Sequence, residues 1–407
     1  LDHINLWLVD GAQGLAAVDT GFGDAVTRAH WQTHFATTMR GRALDQLVVT
    51  HYHPDHLGNA AWLAARFAVP VTMTHGEFLH AHCVWHEQAS MDAASMAGFL
   101  HAHGLPMAEA AALGTRLTGY RRAVPELPRT FRRMIDGDTL VLGGSAFRVI
   151  AGFGHSPEHA ALHCSERGVL VSGDMLLPRI STNISVSPGE PDGDPLQRFL
   201  DSLSRFEALP PDTLVLPSHG LPFRGIALRV AQLRAHHHAR LAELADFIRD
   251  AARPVSAAQV LPVLFRRKLD LHQLSFAMGE AIAHLNHLWH RRRVERIGAP
   301  DHAILFGIRT GARIHLPALR TTPRRRRYST PTPSPGRSPP QPTRARVRSA
   351  TSPRAKRIRV PRYSATSSAS ARHFSSWRRK CSPIRHASPN RKRTCGGNTP
   401  RCGNRRC

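Results

Sequence analysis

Four potential metal ligands fall within six positions in Thr50-His51-Tyr52-His53-Pro54-Asp55-His56-Leu57-Gly58, directly after the apolar run Leu47 to Val49 and ahead of a helical stretch from about Leu57 to Phe67. That placement calls for a strand-to-helix loop. On such a loop the alternate residues His51 and His53 point one way, while Asp55 and His56 turn toward a neighbouring point, so one loop can serve two metal ions. A lone histidine is usually structural. Imidazoles clustered with a carboxylate, with no Lys or Arg between them, mark a site.

The rest of the chain supplies the scaffold for such a loop. Ile4 to Val9 and Leu15 to Val18 flank Asp10-Gly11 and read as strand, turn and strand; Val69 to Met73 is another strand. Leu140 to Ile150 around Gly143-Gly144, and Ala161 to Val171 around Glu166-Arg167-Gly168, read as two hairpins. Leu196, Phe199, Leu200, Leu203 and Phe206 have helical spacing, and the strand Thr213 to Leu216 follows. Strands alternating with helices predict a layered α/β fold. Ala89 to Arg133, helical in composition but broken at Gly104, Pro106 and Pro125, is a candidate lid or pocket wall. After Phe223 come a long helix ending near Ala252, a short one capped by Ser256, a third from about Asp270 to Arg293, and strand-like pieces at Val294 to Ile297 and Ala303 to Phe306. Three helices and a hairpin predict a winged-helix-like unit. The expected domains are therefore 1–232, 233–315 and a tail, 316–407.

The motif His51-x-His53-x-Asp55-His56 resembles the central motif of the metallo-β-lactamase fold superfamily. Further motifs follow in that family's order: Gly154-His155-Ser156-Pro157, Ser172-Gly173-Asp174 and Pro217-Ser218-His219-Gly220, with Val18-Asp19-Thr20-Gly21 ahead of them all. The resemblance implies a four-layer αββα sandwich. It also implies that His51, His53 and His155 bind one ion, that Asp55, His56 and His219 bind a second, and that Asp174 bridges the two. Asp19 and His159 would support these ligands from behind. Where the commonest zinc β-lactamases carry a Cys, this chain presents Asp174, and where hydroxyacylglutathione hydrolases usually show Gly it has Glu158. Together with the C-terminal unit this looks like the winged-helix hydrolases of the lactamase-β-like protein 2 and glyoxalase II-like group, whose members include an endoribonuclease.

The donor chemistry suits zinc or a similar divalent ion. Two such ions about 3.5–4 Å apart make hydroxide from water near neutral pH. That hydroxide is the expected nucleophile, with Asp55 or a metal-bound water giving the leaving group its proton. No Ser or Cys nucleophile is required, because Ser172 and Ser218 sit in no Gly-x-Ser-x-Gly elbow, and Cys164 in its apolar hairpin reads as a buried, inert thiol. The expected activity is hydrolysis of a small ester, thioester or lactone. The alternative is a phosphodiester- or RNA-cleaving enzyme of the same fold.

Charge decides between those two readings only after it is divided along the chain. The formal net charge is +26, but Leu316 to Cys407 holds 25 Lys and Arg with no Asp or Glu, leaving 30 basic and 29 acidic residues in Leu1 to His315. A nearly neutral body favours a small-molecule substrate, and in the alternative the winged-helix-like unit and the basic tail would grip the phosphates of nucleic acid. The Pro-, Ser- and Arg-rich tail is expected to be disordered. It also holds four of the six cysteines, so the body, with Cys83 and Cys164, has no disulfide framework. No membrane span or signal peptide is visible, and a cytoplasmic location is expected. Among the other histidines, His75, His80, His82 and His86 either line the pocket or occupy polar helix positions, and His236-His237-His238 reads as solvated. Arg179, five residues after Asp174, is a weak candidate for contact with an anionic substrate.

Overall fold

Alternating apolar residues build two five-stranded sheets in the computed structural model, which describes residues 3–12, 14–117, 119–298 and 303–309. The expected tail at 316–407 lies outside the described residues. The first sheet has the order β1 (Trp7–Gly11), β2 (Gly14–Val18), β3 (Gln46–Val48), β4 (Val71–Met73), β5 (Phe131–Arg133). Its first pair is antiparallel and the rest are parallel. Between its strands run α1 (Ala25–Ala36), α2 (Pro54–Leu57), α3 (Ala60–Phe67), α4 (His75–Trp85), α5 (Ala93–Ala102), α6 (Met107–Leu117) and α7 (Tyr120–Ala123). The second sheet contains β6 (Thr139–Leu142), β7 (Ser145–Gly152), β8 (His159–Cys164), β9 (Val169–Gly173) and, after α8 (Pro195–Glu207), β10 (Leu214–Pro217). Here β9 and β10 are parallel, and the other pairs are antiparallel.

The layering follows from the two-residue period of a strand. Val149, Leu162, Val171 and Leu216 face a core shared with the first sheet and with Trp31, Phe35 and Leu63 of α1 and α3. Their neighbours Ile150, Ala161, Leu170 and Val215 face a second core with Leu196, Phe199 and Leu203 of α8. Every residue of β8 and β9 is buried, as a sheet covered on both faces requires. Two sheets thus lie face to face, with helices outside them.

Three local expectations change. Residues 3–6 do not extend the first strand, because Asn5 instead bonds the turn after β10: its backbone N–H donates to the Ser218 carbonyl, and Nδ2 donates to the carbonyls of Pro217 and Gly220. Asp10 and Gly11 are strand residues paired with Leu15 and Gly14, so the turn comes after them. The single helix expected from Leu57 is two helices, since Asn59 turns aside to bond the carbonyls of Thr20 and Phe22.

C-terminal to β10 stand α9 (Ile226–Ala251), α10 (Ala257–Leu264), α11 (Leu271–His290) and the hairpin β11 (Val294–Ile297) with β12 (Leu305–Ile308). Ser256 and Asp270 begin α10 and α11 with capping boxes. Helix α9 runs unbroken across residue 232, and its Val230, Leu233, Leu241 and Leu244 join the same apolar core as the outer face of the second sheet. His237, expected to be solvated, is buried in that stripe and bonds His284 of α11 at 3.2 Å. His236 and His238 are exposed.

Gly58 shows how tightly the ligand-bearing loop is seated. A Cβ there would lie 2.3 Å from Gly23 N and 2.6 Å from the carbonyl oxygens of Ala123 and Gly21, all backbone atoms that cannot swing away. Gly58→Ala is expected to cost about 1–3 kcal/mol by overpacking. Gly98, exposed within α5 with open space around its Cβ position, should respond oppositely, Gly98→Ala adding about 0.5–1 kcal/mol. Urea unfolding of the two variants beside the parent checks both signs.

Candidate metal centre

Five motifs reach one edge of the two sheets because each begins where a strand ends. Asp19 follows β2, His51 and His53 follow β3, His155 follows β7, Asp174 follows β9 and His219 follows β10. The pairs β2–β3 and β9–β10 are parallel, so their carboxyl ends coincide. Short backbone bonds tie the ends together: Asp19 N–H to the Val48 carbonyl, Thr20 N–H to His56, Ala160 N–H to Thr50, and Ser218 N–H to Gly173.

The seven expected ligands meet there in two groups. His51 Nε2, His53 Nδ1 and His155 Nε2 form a triangle with sides of 2.8, 3.1 and 3.2 Å. Beside it, His219 Nε2 lies 3.3 Å from Asp55 Oδ2 and 3.6 Å from Asp174 Oδ1, and His56 Nε2 lies 3.7 Å from each of those carboxylates. The other oxygen of Asp174 is 3.5 Å from His155 Nε2, so this one carboxylate faces both groups. Ligands at zinc–nitrogen distances on a tetrahedron stand about 3.3–3.4 Å apart. The observed edges bracket that value.

Hydrogen bonds from behind orient four of the five ligand rings. Thr50 Oγ1 donates to Asp19 and accepts from His51 Nδ1 at 3.0 Å, His56 Nδ1 donates to Asp19 Oδ2 at 2.8 Å, and His155 Nδ1 donates to the Asn183 carbonyl at 2.7 Å. His219 Nδ1 donates to the His3 carbonyl at 2.8 Å. Each occupies Nδ1 and so leaves Nε2 as the nitrogen aimed inward, the one that a metal would take once it is free of a proton. In the triangle, His51 Nε2 and His155 Nε2 are both left as acceptors, with His53 Nδ1 within hydrogen-bond distance of each. In addition, His56 Nε2 and Asp174 Oδ1 are buried without a hydrogen-bond partner among the described residues. This donor set fits two divalent cations.

The electrostatics divide in the same way. Burial and the neighbouring imidazoles hold His51 well below its ordinary value, and burial lowers His155, so the triangle is neutral. Burial also opposes charge on His56, yet Asp19, Asp55 and Asp174 push it up to about 10. Burial would raise Asp55, but His56, His219 and His53 outweigh it and hold that carboxyl below the usual carboxylate range. The second group therefore demands positive charge, which a cation can supply in place of protons.

The remaining expected residues have distinct places. Asp19 is buried at φ 64°, a left-handed conformation that Asp tolerates, and its carboxylate bonds Thr50 N at 2.8 Å as well as His56. His159, also buried, accepts the Asp174 backbone N–H at 3.1 Å. Gly173 lets it approach, since a Cβ there would sit 2.3 Å from His159 Nε2. Arg179 is exposed on the loop beyond Asp174. His80 meets Tyr52 edge to face, His82 bonds the Pro128 carbonyl, and Cys164 is buried.

Sequence reasoning missed Glu77. Its carboxylate accepts from Tyr52 N, between two ligands, and from Ser156 Oγ and Glu158 N, just after a third, thereby joining both histidine loops. Burial pushes it up to about 7. Thr50, Asn183 and His3 were missed as well, although Thr50 adjoins the motif and was within reach of a local reading.

Asp19→Asn isolates the effect of the tautomer. The amide retains an acceptor for Thr50 N and tolerates the left-handed backbone, but its NH₂ faces His56 Nδ1 and moves the ring proton to Nε2. The expected outcome is a 10- to 100-fold loss of affinity for the second ion with little change in melting temperature. Zinc stoichiometry against a graded chelator series checks it.

Residues 1–219 match the model of the metallo-beta-lactamase superfamily, and residues 241–309 match that of the metallo-beta-lactamase-like C-terminal domain. The structure resembles a beta-lactamase domain protein from Burkholderia ambifaria with 44% identity and a TM-score of 0.70, covering 76% of this chain and 89% of that one. A probable metallo-hydrolase of Bacillus subtilis is 25% identical over 287 residues, 69% of this chain and 86% of its own length. A hydroxyacylglutathione hydrolase of Rhodobacter capsulatus is 36% identical over 110 residues, 27% of this chain, and the match spans 40% of that protein. With the superfamily model covering more than half of its length, the chain belongs to the metallo-beta-lactamase superfamily.

Proposed function

We propose that the protein is a two-metal hydrolase of a small ester, thioester or lactone. The observation that carries this reading is the pair of ligand groups sharing Asp174, with every orienting hydrogen bond placed so that Nε2 points inward. His51, His53 and His155 would hold one ion, Asp55, His56 and His219 the other, and Asp174 both; imidazole-rich donors favour zinc. When bound, two such ions acidify a water and polarise the substrate's carbonyl.

The chain's own groups supply the proton traffic. Asp55, held ionised, is the most open of the carboxylates at the centre, with its side chain 19% exposed against 11% for Asp174 and 1% for Asp19. It takes a proton from the attacking water and returns it to the leaving oxygen or sulfur. The likeness to hydroxyacylglutathione hydrolase supports a thioester in particular. In this reading residues 1–232 carry all seven ligands, and the described residues of the expected winged-helix-like unit, 233–298 and 303–309, buttress them.

The nucleic-acid alternative is disfavoured by packing. A groove-reading helix must present a face to the duplex, whereas α11 is buried at all but one position from Ala277 to Leu288. None of the helices among the described residues is long and apolar enough to cross a membrane.

The test is turnover across thioester, lactone, β-lactam and phosphodiester substrates, with metal analysis of the same preparation. Thioester or lactone cleavage that a chelator abolishes and zinc restores is expected, with Asp55→Ala lowering kcat/KM by about 100- to 10,000-fold. Removing residues 316–407 should leave that rate unchanged. Cleavage of phosphodiesters alone, lost with the tail, would establish the nuclease instead.

A further inference from the structure

The segment from Asp174 to Asp194 joins β9 to α8 without a helix or strand of its own, yet it heads with one ligand and orients another. Its Thr182 hydroxyl donates to the Asp174 carbonyl at 2.6 Å, and its Asn183 carbonyl accepts from His155 Nδ1 at 2.7 Å. Ordering irregular backbone costs about 1–2 kcal/mol per residue. Those two bonds cannot hold such a length in one course.

Arg229 of α9 bonds the carbonyls of Leu177 and Ile180 and Arg198 of α8 pairs with Glu190, while the contacts around residues 184–186 and 191–193 come from α11 and the strand after it. Ile184 and Val186 are buried in the apolar cluster that contains Met278 and Ile282. Asn286, fully buried, donates from Nδ2 to the carbonyls of Pro191 at 2.9 Å and Gly193 at 3.1 Å. His290 Nε2 bonds the Asp192 carbonyl, and the Arg296 guanidinium bonds the Asp192 carboxylate. The closest approach is at Gly279, where a Cβ would lie 2.3 Å from Ser185 Oγ and 2.7 Å from Ser185 Cβ, but 3.4 Å from Ser185 Cα. Ser185 in turn bonds Asn183 Nδ2 at 3.2 Å, so a push on Ser185 reaches the residue that orients His155.

We propose that Gly279 and Asn286 of α11 are positioning residues for the metal centre. They fix the course of residues 182–194 so that the Asn183 carbonyl meets His155 and the Thr182 hydroxyl meets the Asp174 backbone. The C-terminal helices thereby set metal affinity without supplying a ligand; this rests on the two-metal reading above.

Zinc binding to the full chain, measured by competition with a chromophoric chelator, tests the coupling. Gly279→Ala is expected to weaken one of the two ions 10- to 100-fold. Leu264→Ala, a core truncation in α10, should lower the melting temperature of the metal-free protein at least as much without that loss. Adding Ser185→Gly to Gly279→Ala removes both close atoms and should restore wild-type affinity, which general destabilisation would not allow. Asn286→Asp, which keeps the side chain's shape but removes the donor to both carbonyls, should show the same loss as Gly279→Ala. Two ions bound with wild-type affinity by Gly279→Ala, or a double variant as weak as the single, overturns the coupling alone. Wild-type protein that takes up fewer than two ions overturns the two-metal reading and this proposal with it.

Discussion

Seven potential metal ligands held with their inner atoms facing one another are the constraint on which the rest of the molecule depends. Three ring nitrogens lie within 3.2 Å of one another, and three carboxylates surround the buried His56. Protein groups alone answer neither cluster fully: the first has at most the His53 proton to share among three ring nitrogens, and the second has more negative charge than one imidazolium can answer. Much of the surrounding architecture keeps these atoms from relaxing apart. The parallel strand ends bring the motifs to one edge, Gly58 and Gly173 permit backbone approaches that a Cβ would forbid, and Asp19 accepts a left-handed conformation to reach both Thr50 and His56. An ion bound only by the folded chain then adds its binding free energy to the stability of the fold.

What could be read from the sequence was what is local or periodic. His51, His53, Asp55 and His56 lie on one short loop, so their clustering needs no tertiary information, and Asp19, His155, Asp174 and His219 each sit just past a strand-like run. Three of their supports were not legible for a physical reason: Glu77 reaches Tyr52 across 25 positions, Asn183 reaches His155 across 28, and His3 reaches His219 across 216. Two of those three contacts use a backbone carbonyl, which leaves no trace in residue identity. His237 is a different case. It continues the buried series Val230, Leu233, Leu241, Leu244 and Ile248 at helical spacing, so its burial was present in the pattern and was masked by the polar company of His236 and His238.

The C-terminal elements illustrate how a shared core blurs a boundary that composition makes look simple. A change from mixed α/β sequence to helical sequence invites a division near residue 232, yet α9 crosses that point and its buried stripe completes the core beneath the second sheet. Packing of this kind makes remote helices mechanically relevant to a site that they do not touch. A close-packed interior transmits a displacement instead of absorbing it. Each residue of α11 that holds the segment beyond Asp174 therefore bears on ligand geometry through a short chain of contacts.

Charge accounting completes the case for hydrolysis. Asp55, Asp174 and Asp19 contribute three negative charges at or beside the centre, and burial keeps His51, His53 and His155 neutral. Set against the four positive charges that two divalent ions would bring, these residues leave one positive charge to be answered by the water-derived nucleophile, whose charge passes to the substrate's oxygen as it adds. Adding a nucleophile to a carbonyl places negative charge on the substrate's oxygen, and a fixed positive site stabilises that charge more as it grows than it stabilises the neutral substrate. Had all seven ligands been carboxylates, the same ions would have been over-neutralised and would have had little left to offer an acyl group. The predominance of imidazole over carboxylate in this centre thus leaves bound divalent ions more of the electrophilic character that the proposed hydrolysis needs.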